Sequence, residues 1–165
     1  MGRLVGAFFV ALALGPLAMG QTQSTSVLDQ LKPLAGEWEG TMPDGTKVRT
    51  VYRLTAGGSA LVETMDPGGP HEMVTVYYPD GKRIMLTHYC MAKNQPRMAA
   101  IPSEQKPNEF DFHFVDVTNL ASPRDSYMRD LVLMIRDTDH MTQKWTYHKD
   151  GKDQQPTVFE YTRKK

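Results

Sequence analysis

The sequence is poor in cysteine: Cys90 is the only one in 165 residues. A single cysteine excludes an intrachain disulfide, so a packed core must supply the stability of the fold. In an oxidising compartment, a lone cysteine is buried, is paired with another molecule or has a function. Free cysteine is among the most buried residue types, so burial is the first interpretation of Cys90.

An excess of either charge is also missing, since the chain holds 19 basic and 19 acidic residues. The basic residues form no cluster apart from residues 163–165 at the C-terminus, which are best interpreted as a solvated tail. Nucleic-acid binding depends on a basic patch or stripe. We therefore expect no nucleic-acid partner.

Long apolar runs are absent except near the N-terminus, at residues 4–14. Arg3 precedes this run, and the small residues 18 and 20 follow it, which is the pattern of a cleaved signal peptide. The run is too short to span a bilayer comfortably; the alternative is an uncleaved interfacial helix. We predict a signal peptide at residues 1–20, cleavage before Gln21, and a secreted or periplasmic protein without a membrane anchor.

The rest of the chain is long enough for one domain with its own core. Residues 21–26 are polar and are predicted to be a disordered linker before a single domain at residues 27–165. Ser26 and Asp29 form the pattern of a capping box at the start of a helix. Pro33 keeps that helix short.

Beyond this helix the sequence has no long helical pattern and is typical of short strands between turns. The clearest turns are Pro43-Asp44-Gly45, Gly57-Gly58, Pro67-Gly68-Gly69-Pro70, Pro79-Asp80-Gly81 and Asp150-Gly151-Lys152. Nine or ten consecutive strands predict an all-β fold, an antiparallel up-and-down barrel, because closure removes exposed sheet edges. A Greek-key sandwich is the alternative.

Alternation assigns side chains to the two faces of each strand. Leu61, Glu63 and Met65 share one face of the strand at residues 59–65. Several aromatic side chains recur at inward-facing spacing and could line a cavity or fill the core. They are Tyr52, Tyr77, Phe110, Phe112, Phe114, Trp145 and Tyr147.

A family resemblance follows from the two ends of the predicted domain. A short helix leads into Gly36-Glu37-Trp38, and the chain closes on Phe159-Glu160-Tyr161-Thr162-Arg163. This arrangement resembles the calycin superfamily, the lipocalins and their relatives, and similar secreted bacterial proteins that carry a domain of unknown function. The resemblance implies a barrel in which Trp38 closes one end and Arg163 packs over it. Haem-binding nitrobindins share the Gly-x-Trp start, but their proximal-histidine segment has no clear counterpart here.

Residues 86–98 concentrate side chains that can bind protons, metals or polar groups. Period-two spacing places His88 and Cys90 on one face, beside a predicted turn at residues 94–97. If that face points inward, the barrel binds a small apolar molecule with a polar or anionic end, and Arg97 holds that end. The alternative is an ordinary turn beside a core histidine. The predicted ligand-binding residues are His88, Cys90, Asn94, Gln95, Arg97, His113 and Trp145.

Two other classes of function remain open. An enzyme would use His88 with Cys90 or with a second histidine, His113 or His140, from across the barrel. Side chains two residues apart on one strand are too far apart for a direct hydrogen bond, and no nucleophile motif is present. No catalytic residue is therefore assigned. The third possibility is a structural or interaction module with a filled barrel. Under any of these functions, the protein is expected to be a monomer or a dimer.

The histidines lack the spacing of the common metal motifs. Methionine with cysteine and histidine can hold Cu(I) in an exported protein, and Met85, Met91 and Met98 are near Cys90 in sequence. Methionine is also ordinary core filler. No metal and no cofactor is predicted.

Overall fold

The computed structural model describes residue 2, residues 26–42 and residues 44–165. The predicted signal peptide at residues 1–20 therefore lies outside the described residues, apart from Gly2. The linker at residues 21–26 also lies outside them, apart from Ser26.

The domain consists of one short helix followed by strands. The helix is a 3₁₀ helix at Val27–Leu34. The strands are β1 (Gly36–Thr41), β2 (Lys47–Thr55), β3 (Ala60–Met65), β4 (Met73–Asp80), β5 (Arg83–Tyr89), β6 (Gln95–Ala100), β7 (Glu109–Thr118), β8 (Tyr127–Ile135), β9 (His140–Lys149), β10 (Lys152–Asp153) and β11 (Thr157–Arg163). A single 3₁₀ turn at Ala56–Gly58 joins β2 to β3.

The strands form a closed antiparallel barrel. Each of β1 to β8 pairs with the next strand in the chain, and β11 pairs with both β9 and β1. This closes a ring of ten strands, while the two-residue β10 is a short hairpin arm on β9. The predicted antiparallel barrel is confirmed, and the sandwich alternative is wrong because one continuous ring of pairings joins all ten strands.

The helix closes one end of the barrel. Ser26 and Asp29 form the predicted capping box, in which each side chain accepts a hydrogen bond from the backbone at the other end of the first turn. Leu28, Leu31 and Leu34 are fully buried, and the helix packs against β3, β4 and β5. No helix in the described ranges is both long and apolar enough to cross a membrane.

Antiparallel pairing alternates the connections between two ends of the barrel. We call the end that carries the 3₁₀ helix the helix end. The opposite end, the mouth, carries the connections that follow β1, β3, β5, β7 and β9.

Trp38 and Arg163 fasten the helix end. The indole of Trp38 is fully buried and donates to the Leu34 carbonyl oxygen at 2.8 Å. The Arg163 guanidinium lies over the indole ring, 4.1 Å from its centroid. It also donates to the carbonyl oxygens of Ala35 and Pro33 at 2.8 and 2.6 Å, and to that of Thr138 at 2.7 Å.

Gly36 leaves the space that Arg163 occupies. Its φ is +133°, a conformation that residues with a side chain rarely adopt. A Cβ at this position would lie 2.8 Å from Arg163 Nη1. Gly36, Trp38 and Arg163 therefore form one structural unit.

Replacement of Arg163 by alanine should lower the free energy of unfolding by about 2 kcal/mol, since it removes a ring contact and three carbonyl partners. Arg163→Lys keeps the charge but cannot supply the guanidinium fork, so it should recover less than half of the loss. Urea denaturation followed by tryptophan fluorescence measures both. Equal stability of all three proteins would contradict this assignment.

Candidate functional site

The inward-facing side chains include an acidic residue at the centre of the barrel. Glu63 on β3 is only 1% exposed. Its Oε1 atom lies 2.7 Å from Gln143 Nε2 and 3.1 Å from Thr50 Oγ1, and its Oε2 accepts from the Tyr77 hydroxyl at 2.8 Å. Gln143 Nε2 also donates to the Tyr52 hydroxyl oxygen at 2.6 Å. We call Thr50, Tyr52, Glu63, Tyr77 and Gln143 the Glu63 cluster.

Strand register explains how the cluster assembles. Tyr52 on β2 and Thr75 on β4 are the direct neighbours of Glu63 in the sheet. Gln143 comes from β9, across the barrel. Because a buried polar group is costly without a partner, each of these side chains is stable inside only while the others remain.

Burial changes the acid–base behaviour of the cluster. It raises the pKa of the Glu63 carboxyl above its ordinary value of 4.5, against the opposing effect of the hydrogen bonds from Gln143, Tyr77, Tyr52 and Thr50. Burial also raises the pKa values of Tyr52 and Tyr77 well above 10, and the nearby Glu63 charge adds to this effect. Both tyrosines therefore stay protonated as hydrogen-bond donors.

His88 lies beside this cluster, inside the barrel as predicted. It is 2% exposed, and its Nδ1 lies 2.9 Å from Thr75 Oγ1. Its ring packs against the Trp145 indole with the centroids 4.8 Å apart. Trp145 Nε1 donates to Gln143 Oε1 at 3.0 Å, which links His88 to the Glu63 cluster. Burial lowers the pKa of His88 to about 4, so the imidazole is neutral at pH 7.

Three polar atoms of buried residues have no hydrogen-bond partner within the described part of the chain: His88 Nε2, the Tyr161 hydroxyl and Asn94 Oδ1. Buried polar groups are satisfied in the great majority of cases, by protein, water or ligand. These three atoms are therefore the free hydrogen-bonding capacity of the buried residues, and Asn94 Oδ1 lies at the mouth end.

A pocket of about 320 Å³ opens at the mouth. Its lining consists of Met42, Thr46, Lys47, Val48, Met65, Asp66, His71, Met73 and Phe159. Several of these side chains are the next inward-facing residues beyond the cluster. On β2, Val48 lies two residues from Thr50; on β3, Met65 lies two residues from Glu63. On β4, Met73 lies two residues from Thr75. Phe159 on β11 is paired with Gln143 on β9. The pocket is thus an apolar mouth above a polar interior.

The predicted turn at residues 94–97 is wrong. The turn lies at residues 90–94, where Lys93 adopts a left-handed conformation with φ of +64°, and strand β6 begins at Gln95. Alternation then turns Pro96 and Met98 inward and Arg97 outward, because the strand starts earlier than the sequence pattern indicates.

Arg97 is consequently not placed with His88. It is paired with Asp116, its neighbour on β7, and Nε donates to Oδ1 at 2.6 Å. Gln95 accepts from the Thr118 hydroxyl at 2.7 Å. Both side chains therefore bind neighbours on β7, and neither reaches the interior.

Asn94 and Cys90 lie at the mouth end. Asn94 is buried and donates to the Ser126 carbonyl oxygen at 2.9 Å, which ties the turn to the loop at residues 119–126. Cys90 follows the end of β5 and is half-buried. Burial raises the pKa of its thiol, which disfavours the nucleophilic thiolate.

The second histidine that the enzyme hypothesis needs is not near His88. His113 is 78% exposed and pairs with Asp130 on the outside, at 3.3 Å. His140 is also exposed and bonds Asp137 at 2.9 Å. Of the predicted residues, the structure brings only His88 and Trp145 together, and it adds the Glu63 cluster, which the sequence pattern did not indicate.

The comparisons with known proteins assign no relative: no protein-family model matches the chain, and no curated protein matches it in sequence.

Proposed function

We propose that this protein is an exported small-molecule-binding barrel, a carrier, scavenger or sensor, for an elongated apolar ligand with a neutral polar end. The observation that carries the proposal is the apolar mouth directly above the buried Glu63 cluster and His88. The mouth volume of about 320 Å³ is within the range of small-ligand sites.

The polar end of the ligand is neutral for electrostatic reasons. Arg97, the candidate partner of an anion, is paired with Asp116. A carboxylate or phosphate in the interior would meet Glu63 and a neutral His88, which repel it or give it no compensating charge. A hydroxyl or carbonyl group can instead bond His88 Nε2 or the Tyr161 hydroxyl.

The signal-peptide pattern at residues 1–20 supports the proposed export. Ligand binding by the barrel does not depend on export. The resemblance to calycin-type barrels supports the same function through Gly36, Trp38 and Arg163. Neither argument names the ligand. Native mass spectrometry of the protein purified without refolding, with an absorbance spectrum, would show a retained ligand by its mass.

The neutral probe N-phenyl-1-naphthylamine, which fluoresces in apolar surroundings, tests the mouth directly. We expect the wild type to bind it and Val48→Trp to weaken binding by at least about tenfold, since an indole at this inward position fills the mouth. Val51→Trp is the matched control, because Val51 is on the same strand but on the outer face. Absent binding by the wild type, or equal losses in both variants, would contradict the proposal.

A further inference from the structure

Sulfur and imidazole side chains meet at the mouth. His71 Nδ1 lies 3.3 Å from Met91 Sδ, although the two residues are 20 positions apart in the chain. His71 also lines the mouth pocket together with Met42, Met65 and Met73. Four thioethers and one imidazole are therefore gathered at one end of the barrel.

Core packing accounts for Met65, which is buried, but not for Met91. Met85, Met98 and Met141 are buried, as core-filling methionines are. Met91 is 50% exposed, so it gains little from hydrophobic burial, yet its sulfur contacts a ring nitrogen. The pairing of a soft sulfur with a nitrogen donor is what a site for a soft metal ion requires.

The loop that carries His71 is held in place. Asp66 Oδ2 accepts from the His71 backbone N–H at 3.1 Å, and Asp66 itself lines the pocket. With its proton on Nδ1, the His71 imidazole donates to Met91 Sδ; with its proton on Nε2, the Nδ1 lone pair faces Met91 and can bind a metal ion. Asp66 and Lys47 both line the pocket, so their charges offset each other and the preference for a metal ion rests on the donor atoms.

The donor set selects the ion. Thioether and imidazole are ligands of Cu(I), whereas Zn²⁺ and Ca²⁺ prefer thiolate, imidazole or oxygen donors. No group of three His, Cys, Asp or Glu residues close enough to hold a metal exists among residues 26–42 and 44–165. A site for harder divalent ions is therefore not built in this part of the chain.

We propose that the mouth binds one Cu(I) ion through His71 Nδ1 and Met91 Sδ, with the flexible thioethers of Met42, Met65 and Met73 available to complete the ligand set. The site does not depend on the small-molecule function proposed above. Cu(I) and an apolar ligand would share the mouth, because His71, Met42, Met65 and Met73 line the pocket proposed for the ligand, whereas Met91 is not part of that lining.

Anaerobic titration of the full chain against the coloured Cu(I)–bicinchoninate complex tests the site. We expect the wild type to withdraw one equivalent of Cu(I), and His71→Ala and Met91→Leu each to weaken binding by at least about tenfold. Both residues are exposed, so neither change should affect folding, which far-UV circular dichroism verifies. X-ray absorption of the loaded protein should show both sulfur and nitrogen ligands.

The matched controls are His113→Ala and Met134→Leu. His113 is an exposed histidine that contacts Asp130, and Met134 lines a different pocket with Lys106 and Glu109. Both controls should bind as the wild type does. The proposal is overturned if the wild type does not compete for Cu(I), or if the controls lose as much affinity as His71→Ala. It is also overturned if Cys90→Ser abolishes binding while His71→Ala and Met91→Leu keep it.

Discussion

Replacement of Glu63 by alanine is expected to lower the free energy of unfolding by about 3–5 kcal/mol, as removal of one member of a buried hydrogen-bonded set does. The Tyr77 hydroxyl would lose the acceptor that now lies 2.8 Å away, and Gln143 would lose one of its two. The truncated side chain would also leave a cavity beside Tyr52. Urea denaturation at pH 7, followed by circular dichroism, measures the loss.

Glu63→Gln separates the effect of side-chain volume on stability from the effect of the carboxyl group. The amide preserves the volume but directs an NH₂ group toward donors, so we expect a smaller loss of about 1–3 kcal/mol. The matched acidic control is Glu39→Ala, on the exposed outer face of β1, which should change stability by less than about 0.5 kcal/mol. A loss below about 1 kcal/mol in Glu63→Ala would show that the cluster is not a cooperative interior network.

Because the pKa of Glu63 is raised in the folded protein, the contribution of Glu63 to stability should depend on pH. The folded protein binds the carboxyl proton more tightly than the unfolded chain, whose pKa is near the ordinary 4.5. The contribution of this group to stability is therefore full below pH 4.5 and declines as the pH rises toward the raised folded pKa. Glutamine does not titrate, so the cost of Glu63→Gln should shrink as the pH rises above 4.5 toward the raised folded pKa of Glu63.

Most of the architecture could be predicted from local sequence patterns. Turn residues at short intervals and alternation along each strand predict consecutive hairpins, and the capping box at Ser26 predicts the helix. The contact between Trp38 and Arg163 follows from the family resemblance, and the structure shows that contact. Local patterns favour closure of the ring without requiring it, because β11 meets β1 only through long-range register.

The functional site was harder to predict because its parts are far apart in the chain. Glu63 shares a strand face with Leu61 and Met65, and Gln143 shares one with Met141 and Trp145. A charged or amide residue on an apolar inward face is the signal that could have identified both. Their pairing spans 80 residues and depends on barrel closure, which no local pattern encodes.

For Arg97, the sequence pattern predicts a place in the site, and the structure puts the side chain outside it. The pattern Asn-Gln-Pro-Arg has turn residues, and it predicts a loop that presents an arginine to the interior. Lys93, which has a left-handed backbone conformation, ends the turn earlier than the predicted residues 94–97. A shift of one residue in the strand moves every side chain to the other face. Asp116, the neighbour of Arg97 on β7, could be recognised only from the register.

Acidification should destabilise the protein through His88, by about 3 kcal/mol between pH 6.5 and pH 4. Burial lowers the folded pKa of this imidazole from 6.5 to about 4, so in that interval the unfolded chain binds a proton that the folded protein does not. The contribution is fully present above pH 6.5 and is lost as the pH falls through the folded pKa. Urea denaturation across this range measures it.

His88→Phe tests the assignment, because phenylalanine keeps a ring against Trp145 but cannot titrate. It should cost about 1 kcal/mol at pH 7, since the Thr75 hydroxyl loses its partner, and it should remove the steep loss below about pH 6.5. His113→Phe, at an exposed position, should retain that loss. Nitrogen-15 chemical shifts of the His88 ring should report a neutral imidazole at about pH 5.5; a protonated ring at that pH would refute the prediction.

Glu63 and His88 oppose each other in this interval, which makes the two single variants more informative than the wild type. Between pH 4.5 and pH 6.5, protonation of Glu63 favours the folded state as the pH falls, and exclusion of a proton from His88 disfavours it. Glu63→Gln should therefore make the protein more sensitive to acid, and His88→Phe less sensitive. Changes in the same direction would mean that one of the two side chains is not inside the barrel.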